Sequence, residues 1–231
     1  MTLGRPRLHV REIDSTNERA RALAVAGAPH GTMVTAGVQT AGRGRQGRTW
    51  IAPPGTALLL SLVVREIDPL LPLRAGLAVA DVAGPAARVK WPNDVLVDGR
   101  KVAGILIEGR PQEGWAVVGI GLNAALDVAD LPPELRDTAG TLGRSPNELE
   151  PTLAELLGAL ERRLAEPAAA VVAALRDRDA LAGRPVTWAG GAGTGAGVDE
   201  QGQLRVRLAD GSEVALDAGE VHLGDGEPGQ T

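Results

Sequence analysis

RVKWPNDVLVDGRKVAGILIE, residues 88 to 108, is the stretch on which the reading of this 231-residue chain turns. Val89 to Trp91 is extended ahead of Pro92, and Asp94 to Val97 is β-prone. Asp98-Gly99 is a two-residue turn signal, and Lys101 to Glu108 returns as a strand. The stretch is therefore a hairpin. Gly104 interrupts the returning strand, which predicts a bulge or the close approach of another group to the backbone. Of the chain's 24 basic side chains only two are lysines, Lys90 and Lys101, and both lie here. Guanidinium is a broad planar fork and ammonium a compact point charge, so a chain that uses arginine almost everywhere keeps lysine where a fork does not fit. Asn93, one of only four asparagines, falls between them. A lysine on a rigid strand beside a glycine gap can hold its ammonium against a bound anion. The competing reading is a solvated lysine beside a tight turn.

Composition bounds the alternatives. The net charge of −5 gives no general attraction to nucleic acid or to an anionic membrane, so any basic function is local. With no cysteine, disulfides, thiolate metal sites and cysteine nucleophiles are excluded. His9, His30 and His222 lack metal-ligand spacing and read as surface or structural residues. No apolar run approaches the roughly 20 residues that span a bilayer, and MTLGRPRLHV carries no signal-peptide core. The expectation is a cytoplasmic protein without a membrane partner. Phenylalanine and tyrosine are absent, so the core must be aliphatic with four tryptophans as its only large rings.

Outward from the hairpin, Leu8 to Ile13 reads as a strand, followed by Asp14-Ser15-Thr16-Asn17-Glu18 and an alanine-rich helix to Ala26. Ser15 with Glu18 fits a capping box, and the free N–H groups of a helix start also suit a polar ligand. Gly31 to Thr40 reads as a strand entering AGRGRQGRTW, residues 41 to 50. Gly42, Gly44 and Gly47 satisfy GxGxxG, but no helix opens after them as a dinucleotide fold requires. Arg43, Arg45 and Arg48 alternate with these glycines, giving a loop able to fold over phosphate; a solvated or RNA-binding basic loop is the alternative.

Thr56 to Val64 is an apolar strand covered on both faces. Leu70 to Val82 is helical, and Trp115 to Leu122 is a strand ending at Asn123. Its Gly119, Gly121 and Ala124 are a second dinucleotide decoy with no helix behind it. Residues 127 to 150 are proline-broken and loop-like, Pro151 to Ala165 is an amphipathic helix, and Ala168 to Leu181 is another. From Gly183 the composition shifts to short β-prone pieces, with the glycine tract before Val198 read as a loop holding no ligand.

Four separated segments, Ser15-Thr16-Asn17, QTAGRGRQGRTW from Gln39 to Trp50, KWPND leading into KVAGILIE, and VVGIGLNA from Val117 to Ala124, together resemble the bacterial biotin protein ligases (biotin–[acetyl-CoA-carboxylase] ligases). The likeness is strong over residues 10 to 125 and weaker through the later helices and tail. It implies an α/β (α+β) fold, the mixed sheet of class II aminoacyl-tRNA synthetase and biotin ligase catalytic domains, over residues 1–181. An SH3-like β-barrel over 182–226 and a frayed tail at 227–231 would follow. It implies that biotin and MgATP give biotinyl-5'-adenylate and pyrophosphate, and that a lysine of a biotin carboxyl carrier protein then takes the biotinyl group.

By the same resemblance Ser15, Thr16, Asn17 and Gln39 line the biotin pocket, Arg43, Gly44 and Arg45 close over the adenylate, and Lys101 contacts biotin's carboxyl end and the phosphate. Gly104 lies beside it, Trp50 walls the site or the core, Asn93, Asp94 and Asn123 approach ATP, and Asp94 approaches Mg²⁺. Lys101 and Arg45 are the expected catalytic pair, while Trp91, Trp115 and Trp188 read as packing. Ser15 begins the matched region after only 14 residues, so the expectation is a ligase without an operator-binding domain or a nucleic-acid partner. Family members often pair through their sheets, which makes a homodimer a further expectation. The rivals are a lipoate or octanoate ligase on the same fold, a non-enzymatic phosphate or RNA binder, and a nicotinamide-dependent oxidoreductase.

Overall fold

The computed structural model describes residues 3–65, 67–217 and 219–224. The expected frayed segment 227–231, and the last residues of the expected 182–226 module, lie outside them. Seven strands, β1 (Arg7–Ile13), β2 (Met33–Gln39), β3 (Ala57–Val64), β4 (Arg88–Lys90), β5 (Asp94–Val97), β6 (Arg100–Arg110) and β7 (Trp115–Asn123), form one sheet in the order β1-β2-β3-β7-β6-β5-β4. β1 and β2 run parallel, joined by the crossover helix α1 (Thr16–Val25), and the remaining pairs are antiparallel. The sheet is mixed, as expected. The β5–β6 turn places Asp98 and Gly99 at φ 49° and 77°, the paired positive values that a two-residue hairpin of this twist requires.

β3 lies inside the sheet and all eight of its residues are buried. Its side chains alternate between two layers, because successive residues of a strand face opposite ways. Leu58, Leu60, Leu62 and Val64 pack into the main core with α2 (Leu71–Ala83) and α4 (Leu149–Ala165), while Val63 packs with Ala20 and Ala24 of α1. Ser61 shares the face of Val63 and is thereby presented to the start of α1. β7 obeys the same rule: Ala116, Val118, Ile120 and Leu122 join the main core and Trp115 and Val117 the α1 side. Gly119 and Gly121 open that second face.

Four readings from sequence need correction. α4 begins at Leu149, two residues earlier than expected, because the Ser145 hydroxyl and Glu148 form a capping box around a 3-10 turn at Pro146–Glu148 that runs into it. The stretch 127–150 also holds a one-turn helix, α3 (Pro133–Arg136). α5 (Ala168–Arg176) stops well short of Leu181, since Val89 N donates to Arg178 O and Ala180 N to Val89 O, pulling the chain out of the helix to pair with β4. The glycine tract is a strand. β8 (Pro185–Trp188), β9 (Gly191–Val198), β10 (Leu204–Arg207), β11 (Glu213–Leu216) and β12 (His222–Leu223) form a second, antiparallel sheet in the order β11-β10-β9-β8-β12. A Cβ on Gly193 would lie 2.6 Å from Arg207 O, and one on Gly195 2.2 Å from Leu181 O. Glycine marks close backbone approach here.

Leu181, Val186, Leu204, Val206 and Val221 join the main core, and Trp91 Nε1 donates to Gly202 O at 2.9 Å, so the second sheet is seated against the KWPND stretch. Arg74, only 5% exposed, anchors α2 to the end of α4 by donating to Arg163 O and Glu166 O at 2.7 Å while pairing with Asp68 at 2.9 Å. Arg74→Met leaves those part-buried carbonyls without this donor and is expected to lower unfolding stability by about 2–4 kcal/mol. Urea denaturation reads this directly, and an unchanged midpoint would refute it.

Candidate functional site

The glycine notch in β7 and β6 determines where the cavity forms. Gly121 pairs with Gly104; a Cβ on Gly121 would collide with the Trp50 indole at 2.5 Å from Cε2, and one on Gly104 would crowd it at 3.1 Å from Cζ3. The ring therefore lies on a glycine patch in which Gly121 leaves no room for a side chain. Gly119 gives the same room to Asn17, whose Oδ1 would stand 2.1 Å from an added Cβ. These glycines, which imitate a dinucleotide motif, are the floor of a site. Around it lies a cavity of about 480 Å³ running across the sheet, lined by Ser15, Thr16, Asn17, Gln39, Arg43, Gly44, Arg45, Trp50, Asn93, Asp94, Lys101, Gly104 and Asn123. Every residue that the resemblance assigned to the site lines this cavity.

The β3 side of the cavity is a hydrogen-bonded relay. Gln39 Oε1 accepts from Thr16 N at 2.7 Å and lies 3.0 Å from Thr16 Oγ1. Ser61 Oγ lies 2.8 Å from Thr16 Oγ1 and donates to Asn17 Oδ1 at 2.6 Å. Asn17 Nδ2 donates to Glu108 Oε2 at 2.8 Å. Thr16, Asn17 and Ser61 are all buried, so the relay is rigid, with each polar group fixed by a neighbour. Ser15 caps α1 by accepting from Glu18 N, but the reciprocal arm of the expected capping box is absent. Ser15 N donates to Asp14 Oδ1, and Glu18 pairs with Arg21 and Arg43.

The β4–β6 side is charged. Lys101 Nζ stands 2.6 Å from Asp94 Oδ1 in an ion pair, 5.8 Å from the Trp50 ring centroid, and 3.4 Å from where a Gly104 Cβ would be. The Gly-Arg loop forms a small closed hairpin, with Arg43 bridged to Thr49 and Trp50 N donating to Gly42 O. It carries a 3-10 turn at Arg45–Gly47. Arg45 donates to Asn93 Oδ1 at 3.3 Å and Gly219 O at 3.2 Å, and Arg48 pairs with Glu220. Burial, followed by the nearby Arg48 charge, pulls the Arg45 guanidinium below its ordinary value. Asn123 donates to Gly140 O, leaving its buried Oδ1 without a hydrogen-bond partner, as is Trp50 Nε1. Buried polar atoms of this kind call for a partner from a ligand.

Several residues of the site escape a sequence reading. Leu131, Leu135, Thr138 and Ala139 form a wall from the proline-broken stretch, and Glu220, His222 and Leu223 form another from the far end of the chain. Only tertiary structure assembles these. Lys90 also lines the cavity. Glu108 could have been found: it continues the period-2 face of Gly104 and Leu106, and a carboxylate there in an apolar strand needs a partner. Among the described residues no group of three or more His, Asp or Glu could hold a metal, and no helix is long and apolar enough to cross a membrane.

Comparison with known proteins connects this geometry to a lineage. The model of the biotin/lipoate A/B protein ligase family matches residues 10–124. A Mycobacterium tuberculosis (strain ATCC 25618 / H37Rv) protein named biotin–[acetyl-CoA-carboxylase] ligase is 35% identical over 237 residues, covering 93% of this chain and 88% of its own length. The chain belongs to the biotin/lipoate A/B protein ligase family. The solved biotin protein ligase of Aquifex aeolicus in complex with biotin and ATP superposes with a TM-score of 0.83 at 26% identity, covering 95% of this chain and all of that one. The bifunctional ligase/repressor BirA of Bacillus subtilis (strain 168) is 39% identical over 148 residues, and there the chain spans 46% of the relative's length. The family match runs from the middle of β1 through β7, the strands that make the sheet beneath the cavity; α4, α5 and the second sheet lie beyond it.

Proposed function

We propose that the protein activates biotin as biotinyl-5'-adenylate and transfers the biotinyl group to a lysine of a biotin carboxyl carrier protein in the cytoplasm. The observation that carries this is one cavity with a rigid hydrogen-bonding relay at one side, an ammonium at the other, and an arginine-bearing loop above. The relay of Thr16, Asn17, Ser61 and Gln39 suits the ureido ring of biotin, whose N–H and C=O groups need fixed partners. The apolar dithiolane of lipoate offers nothing to the donor and acceptor capacity that Thr16, Asn17 and Gln39 keep beyond their bonds to one another. That favours biotin over the lipoate or octanoate alternative.

In the first step a carboxylate oxygen attacks the α-phosphorus of ATP. The P–O bond to the β-phosphate breaks, and its electron pair leaves with pyrophosphate. Both reactants are anions, so the protein's work is positioning and charge neutralisation, by Lys101 beside the carboxylate and Arg45 above the phosphate. No covalent enzyme nucleophile is required. Asn93 and Asn123 supply amide groups toward the nucleotide. Asp94, whose carboxylate lines the cavity with Oδ1 against the Lys101 ammonium, would hold Mg²⁺ together with substrate phosphates, and the ion, when bound, would lower the charge of the triphosphate. In the second step a neutral lysine amine attacks the acyl carbon, the C–O bond to AMP breaks, and the amine proton passes to solvent. In this reading the described residues up to 181 are the catalytic unit, and those from 182 to 224 are a small SH3-like β module.

ATP–pyrophosphate exchange tests the reading. It is expected with biotin and absent with lipoate or octanoate, and the purified adenylate should biotinylate a carrier domain at one lysine. Exchange supported by lipoate, or by no acid at all, would overturn it.

A further inference from the structure

Lys90 is the one lysine of the cavity that the reaction above leaves without a task. Antiparallel register places Gly121 on β7, Gly104 on β6, Asp94 on β5 and Lys90 on β4 in a single row across the sheet, and all four line the cavity. Neighbouring strands lie about 4.8 Å apart, so Lys90 stands about 10 Å along the row from Gly104, beside which the Lys101 ammonium sits. Beyond Asp94 the row thus ends in a second cation. The Lys90 side chain is half-buried, yet among the described residues its ammonium makes no ion pair within 4.0 Å and no hydrogen bond. Burial, opposed by the Asp94 and Glu220 carboxylates and reinforced by Lys101 and Arg48, lowers its affinity for the proton. A half-buried ammonium that touches neither of the two nearby carboxylates keeps its donors free for an anion that enters the cavity.

We propose that Lys90 forms, at the β4 edge of the cavity, a subsite for the β- and γ-phosphates of the nucleotide, where it neutralises the pyrophosphate as it departs. This rests on the adenylating function proposed above. With the reacting carboxylate and α-phosphate at Lys101, a triphosphate directed along the row passes Asp94 and brings its terminal phosphates to Lys90. When the P–O bond breaks, the electron pair moves onto the β-phosphate, and a cation at that end favours the leaving group without touching the acid.

The test uses inorganic pyrophosphate and preformed biotinyl-5'-adenylate, each titrated into the full chain. Lys90→Met is expected to weaken pyrophosphate binding and raise the KM for ATP by on the order of tenfold to a hundredfold. Binding of biotinyl-adenylate, which carries no β- or γ-phosphate, should be unchanged. Lys90→Gln should behave as Lys90→Met, and Lys90→Arg should keep pyrophosphate binding within a few-fold, about what a retained charge allows. Equal pyrophosphate affinity in parent and both neutral variants, no binding by the parent, or a matching loss of biotinyl-adenylate would overturn the assignment. Because the pyrophosphate titration involves no acid, it separates this subsite from the identity of the acyl substrate. A Lys90-dependent site in a protein that fails biotin-dependent exchange would leave the subsite standing and remove biotin.

Discussion

Lys101→Met is expected to slow adenylate formation by on the order of 10³-fold while changing unfolding stability by about 1 kcal/mol. The separation follows from where the side chain sits. Its ammonium is 2.6 Å from Asp94 Oδ1, with 32% of the lysine side chain and 16% of the aspartate side chain exposed. The ion pair is therefore reached by solvent on the lysine side and contributes little to folding. Methionine keeps the aliphatic stem against Trp50 and Gly104, so packing survives. What disappears is a point charge placed where carboxylate and phosphate must meet. Arginine is no substitute: an ammonium fits beside the glycine notch, and a planar fork requires width that the Trp50 ring takes up. Biotin-dependent ATP–pyrophosphate exchange measures the first quantity and urea denaturation the second. Parallel loss of both would make Lys101 a structural residue.

How far such a site can be read from sequence depends on whether its signal is local. The hairpin from Arg88 to Glu108 was legible because Asp98-Gly99 and the alternation around it are short-range instructions. β3 was legible because eight consecutive residues with no room for water can only be an inner strand. Gly104 announced a close approach, and the approaching group is Trp50. The resemblance supplied the grouping of Ser15, Gln39, Arg45 and Lys101, which no periodicity contains. The signals failed where distant backbone decides the outcome. The glycine tract reads as a loop by composition, yet it forms β9 because Leu181 and Arg207 press their carbonyls where side chains would stand. α5 ends early because β4 competes for its last residues. Lys90 carried a compositional signal but no address, since its place in the cavity follows from the register of three strand pairs. Glu220 and His222 had none: a histidine without spacing partners looks structural until the fold carries it to the rim.

Arg45→Gly is expected to release biotinyl-adenylate on the order of 10²-fold faster than the parent, with biotin affinity changed much less. Each arginine of the loop fastens it to a different part of the molecule. Arg43 pairs with Glu18 at the start of α1, Arg45 donates to Asn93 and to Gly219 O, and Arg48 pairs with Glu220. Arg43 and Arg48 are about half exposed, at 47% and 51% of their side chains, so their pairs are screened and weak. Arg45 is the more deeply placed, and its two hydrogen bonds tie the turn at once to the KWPND stretch and to the end of the chain. Hydrogen bonds from a charged donor contribute about 1.5–3 kcal/mol, and losing them, together with adding a glycine beside Gly44 and Gly47, frees the loop from both supports. An open loop admits water to a mixed anhydride and lets it leave before a carrier lysine arrives. Stopped-flow release of preformed biotinyl-adenylate reads the effect. Identical release rates would mean that the loop is ornamental to retention, and the roof of the cavity would have to be sought in the wall from Leu131 to Ala139.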